Sequence, residues 1–187
     1  MLSKILDFVA FALKAKSAPE TPKEVEITHP KLKQCYPRFA QNAQQFIDAA
    51  KKWAKAKRLD LDVHMALRTW EVQAGLYAIG RTKELGRKPV TRAKPGRSYH
   101  NYGLAIDIVF DGDISKQGIQ WSWDDKYPWK ELGELGKTFG LEWAGDWKSF
   151  TEMPHFQMTF DVPVTKLLEW HTQGGLPKVW EELDKVA

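Results

Sequence analysis

Residues 98–110 read SYHNYGLAIDIVF. The second half is a strand pattern carrying a single acid. In LAIDIVF (104–110), Leu104, Ile106, Ile108 and Phe110 share one face, and Ala105, Asp107 and Val109 share the other. Asp107 therefore leaves the strand opposite four large apolar side chains. Gly103, just before the strand, lets the backbone turn sharply, so His100 is expected to fold back towards Asp107.

Two other stretches present polar groups in the same way. LDVHMALR (61–68) is predicted to be a half-buried strand, with Val63, Met65 and Leu67 on one face and His64 and Arg68 on the other. In HFQMTF (155–160), Phe156, Met158 and Phe160 alternate with His155, Gln157 and Thr159. If the three strands are neighbours, Arg68, Asp107 and His155 converge, with His100 beside them. Two imidazoles and a carboxylate suit a divalent metal, zinc above all, with a fourth position open to water. Glu152, three residues before His155 in EMPH, is placed to take a proton from that water, and Arg68 to stabilise an oxyanion. Of the other histidines, His29 falls in an extended arm and His171 near a helix end. His64 has the parity to stand behind the metal ligands.

Around these strands the pattern is helical. FAQNAQQFIDAAKKWAKAKR (39–58) spaces Phe39, Ala43, Phe46, Ile47, Ala50 and Trp53 along one face. A helix over 69–81 opens on Thr69, and one over 128–140 opens on Pro128 and closes on Gly140. The tail gives two helices broken at Gly174–Gly175, and 82–97 is a long loop of the kind that often carries function. The fold class is α+β: a small, mostly antiparallel sheet with flanking helices.

The 187 residues suffice for one compact domain with a core. The net charge of +4 fits an anionic partner, but the basic residues are scattered, and no nucleic-acid partner is expected. The run KKWAKAKR (51–58) suits a helix C-terminus. A single cysteine, Cys35, excludes an internal disulfide and reads as a buried thiol. Nine tryptophans are many, and five cluster between residues 120 and 150, as core or as ligand-facing surface. Residues 1–37 are expected to be an N-terminal segment and linker, with the domain over 38–187. Leu2, Ile5, Leu6, Val9 and Leu13 make one face of an amphipathic helix. Residues 1–18 are left open as a signal, an anchor or a docking helix, with membrane contact through residues 2–14.

SYHNYGLAID (98–107) resembles the SxHxxGxAxD signature of the zinc peptidases related to the D-alanyl-D-alanine carboxypeptidases and dipeptidases of vancomycin resistance. EMPH (152–155) resembles their ExxH element, and LRTWEVQAGLYAIGRTK (67–83) their arginine-bearing strand and helix. VTRAKPGRSYHNYGLAIDI and GLEWAGDWKSFTEMPHFQ are most similar to the L-alanyl-D-glutamate endopeptidase branch, common among phage endolysins and wall hydrolases. The resemblance covers about residues 38–160. It implies a DD-peptidase-like, Hedgehog-like fold, one Zn2+ per chain on His100, Asp107 and His155, Glu152 as general base and Arg68 steadying the substrate carbonyl. Ser98 and Gln73 match positions close to the site. One departure is that many relatives of this branch carry Asp where this chain has Glu152, the residue of the dipeptidase members. The implied activity is hydrolysis of the L-Ala-D-Glu bond of the peptidoglycan stem peptide by a monomer acting in the periplasm or wall, or held in a host cytoplasm before release. Two rivals remain: a D-alanyl-D-alanine carboxypeptidase, and a wall-binding module that keeps zinc without turnover.

Overall fold

The computed structural model of the protein describes residues 25–118 and 120–186. The expected signal, anchor or docking helix over 1–18 lies outside them. Helix α1 (Pro37–Ala56) starts on Pro37, whose missing N–H costs nothing in a first turn. It is followed by β1 (Leu61–Met65) and α2 (Trp70–Ala78). The Thr69 hydroxyl accepts from the Val72 N–H at 3.3 Å and caps α2. Then come β2 (Ala105–Asp111), β3 (Trp121–Ser122), α3 (Trp129–Thr138), β4 (Glu142–Trp143), β5 (His155–Gln157) and α4 (Val164–Val186). Helix α4 is two helices meeting at Gly174 and Gly175, as expected; Gly175 has a φ of 68°.

The pairings among these strands are all antiparallel, in the order β1-β2-β5-β4, with β3 added to the far end of β2. Leu104, Ile106, Ile108 and Phe110 are fully buried against α1, as the parity of 104–110 requires. Phe46 of α1 meets Phe156 at 4.8 Å, and Phe110 stacks on Tyr127 at 4.4 Å. This arrangement is the α+β class expected, with a small antiparallel sheet and flanking helices. Trp129 and Trp143 join the core, whereas Trp121 and Trp123 stay exposed. Cys35 is buried and reduced, and burial pushes its thiol pKa up to about 12.

Three local expectations change. The register shifts between Val63 and Met65, so Met65 pairs with Asp107. This bulge carries Met65 onto the face of His64, and both line the cleft described below. Met65 therefore does not share the face of Val63. The strand stops there because the Ala66 carbonyl and the Arg68 N–H turn to His100. Arg68 thus comes from a turn rather than from the strand predicted through residue 68. Strand β5 is also shorter than 155–160, because Phe160 and Asp161 adopt φ of 52° and 57° and bend the chain away. Finally, Leu32, Cys35 and Tyr36 are core residues, upstream of the boundary expected at residue 38. The arm before them is tied down as well: Gln44 Oε1 accepts from the Thr28 and His29 N–H groups at 3.1 and 2.9 Å.

Candidate metal centre

The turn that delivers His100 is a 3-10 helix, Tyr99–Tyr102, closed by Gly103 at φ 70°. A Cβ on Gly103 would sit 2.9 Å from Cys35 Cα, so both the dihedral and the space call for glycine. The Gly103 carbonyl accepts from the Tyr36 N–H at 3.1 Å, which fastens the turn to the start of α1. Asn101 fastens its other side, accepting from the Gly96 N–H at 3.0 Å and donating to the Arg68 carbonyl at 2.9 Å. Asp107 leaves β2 away from the core, and β5 runs beside it with Asp107 opposite His155.

His100 Nε2, His155 Nδ1 and Asp107 Oδ1 lie 3.1 Å from one another in all three pairs. A tetrahedral zinc with bonds of about 2.0 Å has donor–donor edges of about 3.3 Å, so this triangle matches one face of such a site. The far nitrogens settle which ring atoms carry protons. His100 Nδ1 faces the Ala66 carbonyl oxygen at 2.8 Å, which only accepts, so Nδ1 is the N–H. His155 Nε2 faces Gln157 Oε1 at 3.0 Å. The Gln157 amide is oriented by its nitrogen, which donates to Glu142 Oε2 at 3.1 Å. In the neutral rings, both inner nitrogens therefore offer lone pairs to the same point as a carboxylate oxygen. Such a set repels itself unless a cation sits among its members.

The electrostatics agree. Burial works against a charged Asp107, but His100 and His155 outweigh it and hold its carboxyl well below the usual range. Burial lowers the pKa of His100. Burial also opposes a charged His155, yet its bond to Asp107 dominates and its pKa is raised. A proton on His155 is thus the competitor of a metal ion, and metal uptake would release it. Among the described residues, this is the His/Asp cluster whose donor atoms all lie within 4.8 Å.

Arg68 brackets the cluster. Its NH2 donates to Asp107 Oδ2 at 2.7 Å, leaving Oδ1 free to face the histidines, and its NH1 donates to Gln73 Oε1 at 3.1 Å. Each of those nitrogens carries a second N–H. Gln73 is fully buried and passes the link to the Ala93 carbonyl at 2.8 Å, so it positions Arg68 and the 82–97 loop rather than facing a ligand. A cleft of about 1050 Å³ opens over the cluster, and Glu152, Ser98 and His64 all line it. The Glu152 carboxyl has its pKa raised by burial, with His155, Asp107 and Arg68 as its charged neighbours. Arg92 of the loop donates to the Ser149 carbonyl at 3.1 Å and lies over the Phe150 ring, joining two walls of the cleft. His29 pairs with Asp62 away from this cleft, and His171 stacks on Trp70.

Strand alternation places Gln157 on the face of His155, and nothing local in the sequence marks a role for it. That role depends on Glu142, a residue of a two-residue strand whose pairing with β5 no local pattern announces.

The arrangement is a proton acceptor and a cation-seeking donor triad at the floor of a substrate-sized cleft. The family model described as D-alanyl-D-alanine carboxypeptidase matches residues 91–158. The peptidoglycan L-alanyl-D-glutamate endopeptidase CwlK of Bacillus subtilis (strain 168) is 42% identical over 130 residues, covering 66% of this chain and 72% of that protein. The L-alanyl-D-glutamate peptidase of Listeria phage A118 is 26% identical over 132 residues, covering 67% of this chain and 42% of that protein. The vancomycin-resistance D,D-pentapeptidase VanY in complex with Zn(II) superposes with a TM-score of 0.46 at 25% identity, over 76% of this chain and 81% of that one.

Proposed function

Because the chain belongs to the family of zinc D-alanyl-D-alanine carboxypeptidases and dipeptidases, with its similarity in the L-alanyl-D-glutamate endopeptidase branch, we propose that it is a zinc-dependent peptidoglycan peptidase that cleaves the L-Ala-D-Glu bond of the wall stem peptide. One observation carries the reading: two imidazole lone pairs and a carboxylate oxygen meet 3.1 Å apart beneath a cleft that also holds the desolvated Glu152. His100, Asp107 and His155 would hold one zinc per chain. When bound, zinc supplies Lewis acidity and brings the pKa of a water near 7.

The chain's own residues do the rest. Glu152 takes the proton of the attacking water and returns it to the departing D-glutamate amine; its raised pKa suits both transfers. Arg68 stabilises the negative charge that develops on the scissile carbonyl oxygen, through N–H groups not spent on Asp107 and Gln73. Its bond to Asp107 Oδ2 holds that carboxylate with Oδ1 inward. Ser98 lies at the cleft wall within reach of substrate. The site of action is the wall, reached from the periplasm or, for a phage enzyme, from the host cytoplasm on release. No helix among the described residues is long and apolar enough to cross a membrane.

Digesting purified muropeptides and weighing the products tests the assignment. Release of a stem beginning at D-glutamate, with L-alanine left on the sugar, is the expected outcome. Loss of a terminal D-alanine alone would make the chain a carboxypeptidase, and no cleavage by the zinc-loaded protein would make it a binding module.

A further inference from the structure

Trp121 and Trp123 are 58% and 43% exposed, although both are held in place. Trp123 Nε1 donates to the Ile108 carbonyl at 3.2 Å, one residue beyond Asp107. His64 packs edge-on against both indoles, with ring centroids at 4.5 and 5.0 Å, and the indoles themselves meet at 6.5 Å. Trp123, His64 and Asp125 line the same cleft as the metal cluster, so this aromatic surface continues the substrate cleft. A fixed aromatic patch kept in water beside a reaction centre marks a binding platform.

What reaches it follows from the peptidase reading, on which this inference rests. The scissile bond lies after the first stem residue, whose amine is joined through a lactyl group to an N-acetylated sugar. With the scissile carbonyl at the cluster, that sugar lies about 7 Å away, two residue lengths of extended chain. Beyond the scissile bond, the stem carries carboxylates instead. Arg92 and Arg97 of the 82–97 loop line the cleft, as does Asp125, two residues after Trp123. An aspartate there repels the anionic end of the stem and accepts hydrogen bonds from hydroxyls. Indole faces suit the C–H face of a pyranose.

We infer that Trp121, Trp123 and His64 form a saccharide subsite that stacks the amino sugar bearing the stem peptide. The enzyme therefore favours peptide still attached to glycan, and Arg92 and Arg97 receive the acidic end of the stem.

The test uses the full-length, zinc-loaded protein and two substrates, a disaccharide-bearing muropeptide and the same stem peptide without sugar. Trp123→Ala and Trp121→Ala are expected to raise KM roughly tenfold more on the first than on the second, as loss of one stacked sugar face implies. Trp121→Phe, which keeps a ring at a position with no indole N–H bond to lose, is expected to stay close to wild type. Equal losses on both substrates, or no loss on either, would overturn the subsite. Tryptophan fluorescence titrated with an N-acetylglucosamine tetramer gives a reading independent of turnover. A spectral shift present in wild type and lost in the alanine variants supports the platform; no shift in wild type overturns it. If wild type cuts neither peptide, the peptidase reading falls while the titration still decides the platform. Dissociation of a dimer by the alanine variants, seen in sedimentation, would make the patch an interface between copies and overturn the assignment.

Discussion

Replacing Gln157 by leucine isolates the group that fixes the proton on His155. The side chain is buried, and its Oε1 is the partner of His155 Nε2 at 3.0 Å. Glu142 is not orphaned by the change, because it keeps the Thr159 hydroxyl at 2.7 Å and its own exposure to water. The cost therefore falls on His155. Its Nε2–H would be buried without an acceptor, which costs about 1–3 kcal/mol. The ring escapes by moving the proton to Nδ1, but that removes the lone pair that faces His100 and Asp107. Either way, the metal-binding form is disfavoured by an amount matching the roughly 10–100-fold loss typical when the outer partner of a histidine ligand is removed. Competition against a chromophoric zinc chelator near neutral pH is the assay. Glu142→Ala, which frees the Gln157 amide to turn over, is expected to shift affinity in the same direction by less. A Gln157→Leu protein that binds zinc within twofold of wild type would refute the reasoning.

Gly103→Ala forces an L side chain into a left-handed dihedral and against the backbone of Cys35, so a loss of about 2 kcal/mol or more is expected in urea unfolding. A change below about 0.5 kcal/mol would contradict the stated packing. Asp62 tests the pH dependence. Burial works against its charge, but hydrogen bonds from His29 and Lys51 outweigh that and hold its pKa below the ordinary value. A lowered folded pKa means stability present in full above the unfolded pKa of about 3.9 and lost as pH falls through the folded one. The stability gap between wild type and Asp62→Asn is thus expected to shrink as pH drops below about 4; a constant gap would sink the assignment. Glu152→Ala is expected to keep its zinc and lose nearly all cleavage, by about 100-fold or more, because the proton acceptor is gone while the donor triad is untouched. Wild-type turnover in that variant would remove Glu152 from the mechanism.

The candidate site was legible where one strand's own alternation decides the outcome. The parity of 104–110 fixed the direction of Asp107, and that of 155–157 fixed His155, because one face of each is claimed by apolar residues that α1 must cover. Gly103 was legible too, since a positive φ at that point serves the turn that returns His100. The bulge at Val63–Met65 was not, because it is set by pairing with β2 and by the turn that diverts Ala66 and Arg68 to His100. The capture of Leu32 and Tyr36 was hidden for a similar reason. A stretch rich in proline and lysine looks like a linker until Gly103 and Gln44, distant in sequence, supply its hydrogen-bond partners. The orienting bonds from Glu142 to Gln157 to His155 likewise exist only once β4 lies beside β5.

The central claim is that His100, Asp107 and His155 form one metal centre. It is tested most directly by the zinc content of the purified protein beside that of His100→Ala. One zinc per chain in the wild type and none retained by the folded variant is the expected result. A His100→Ala protein that keeps a full equivalent of zinc would contradict it.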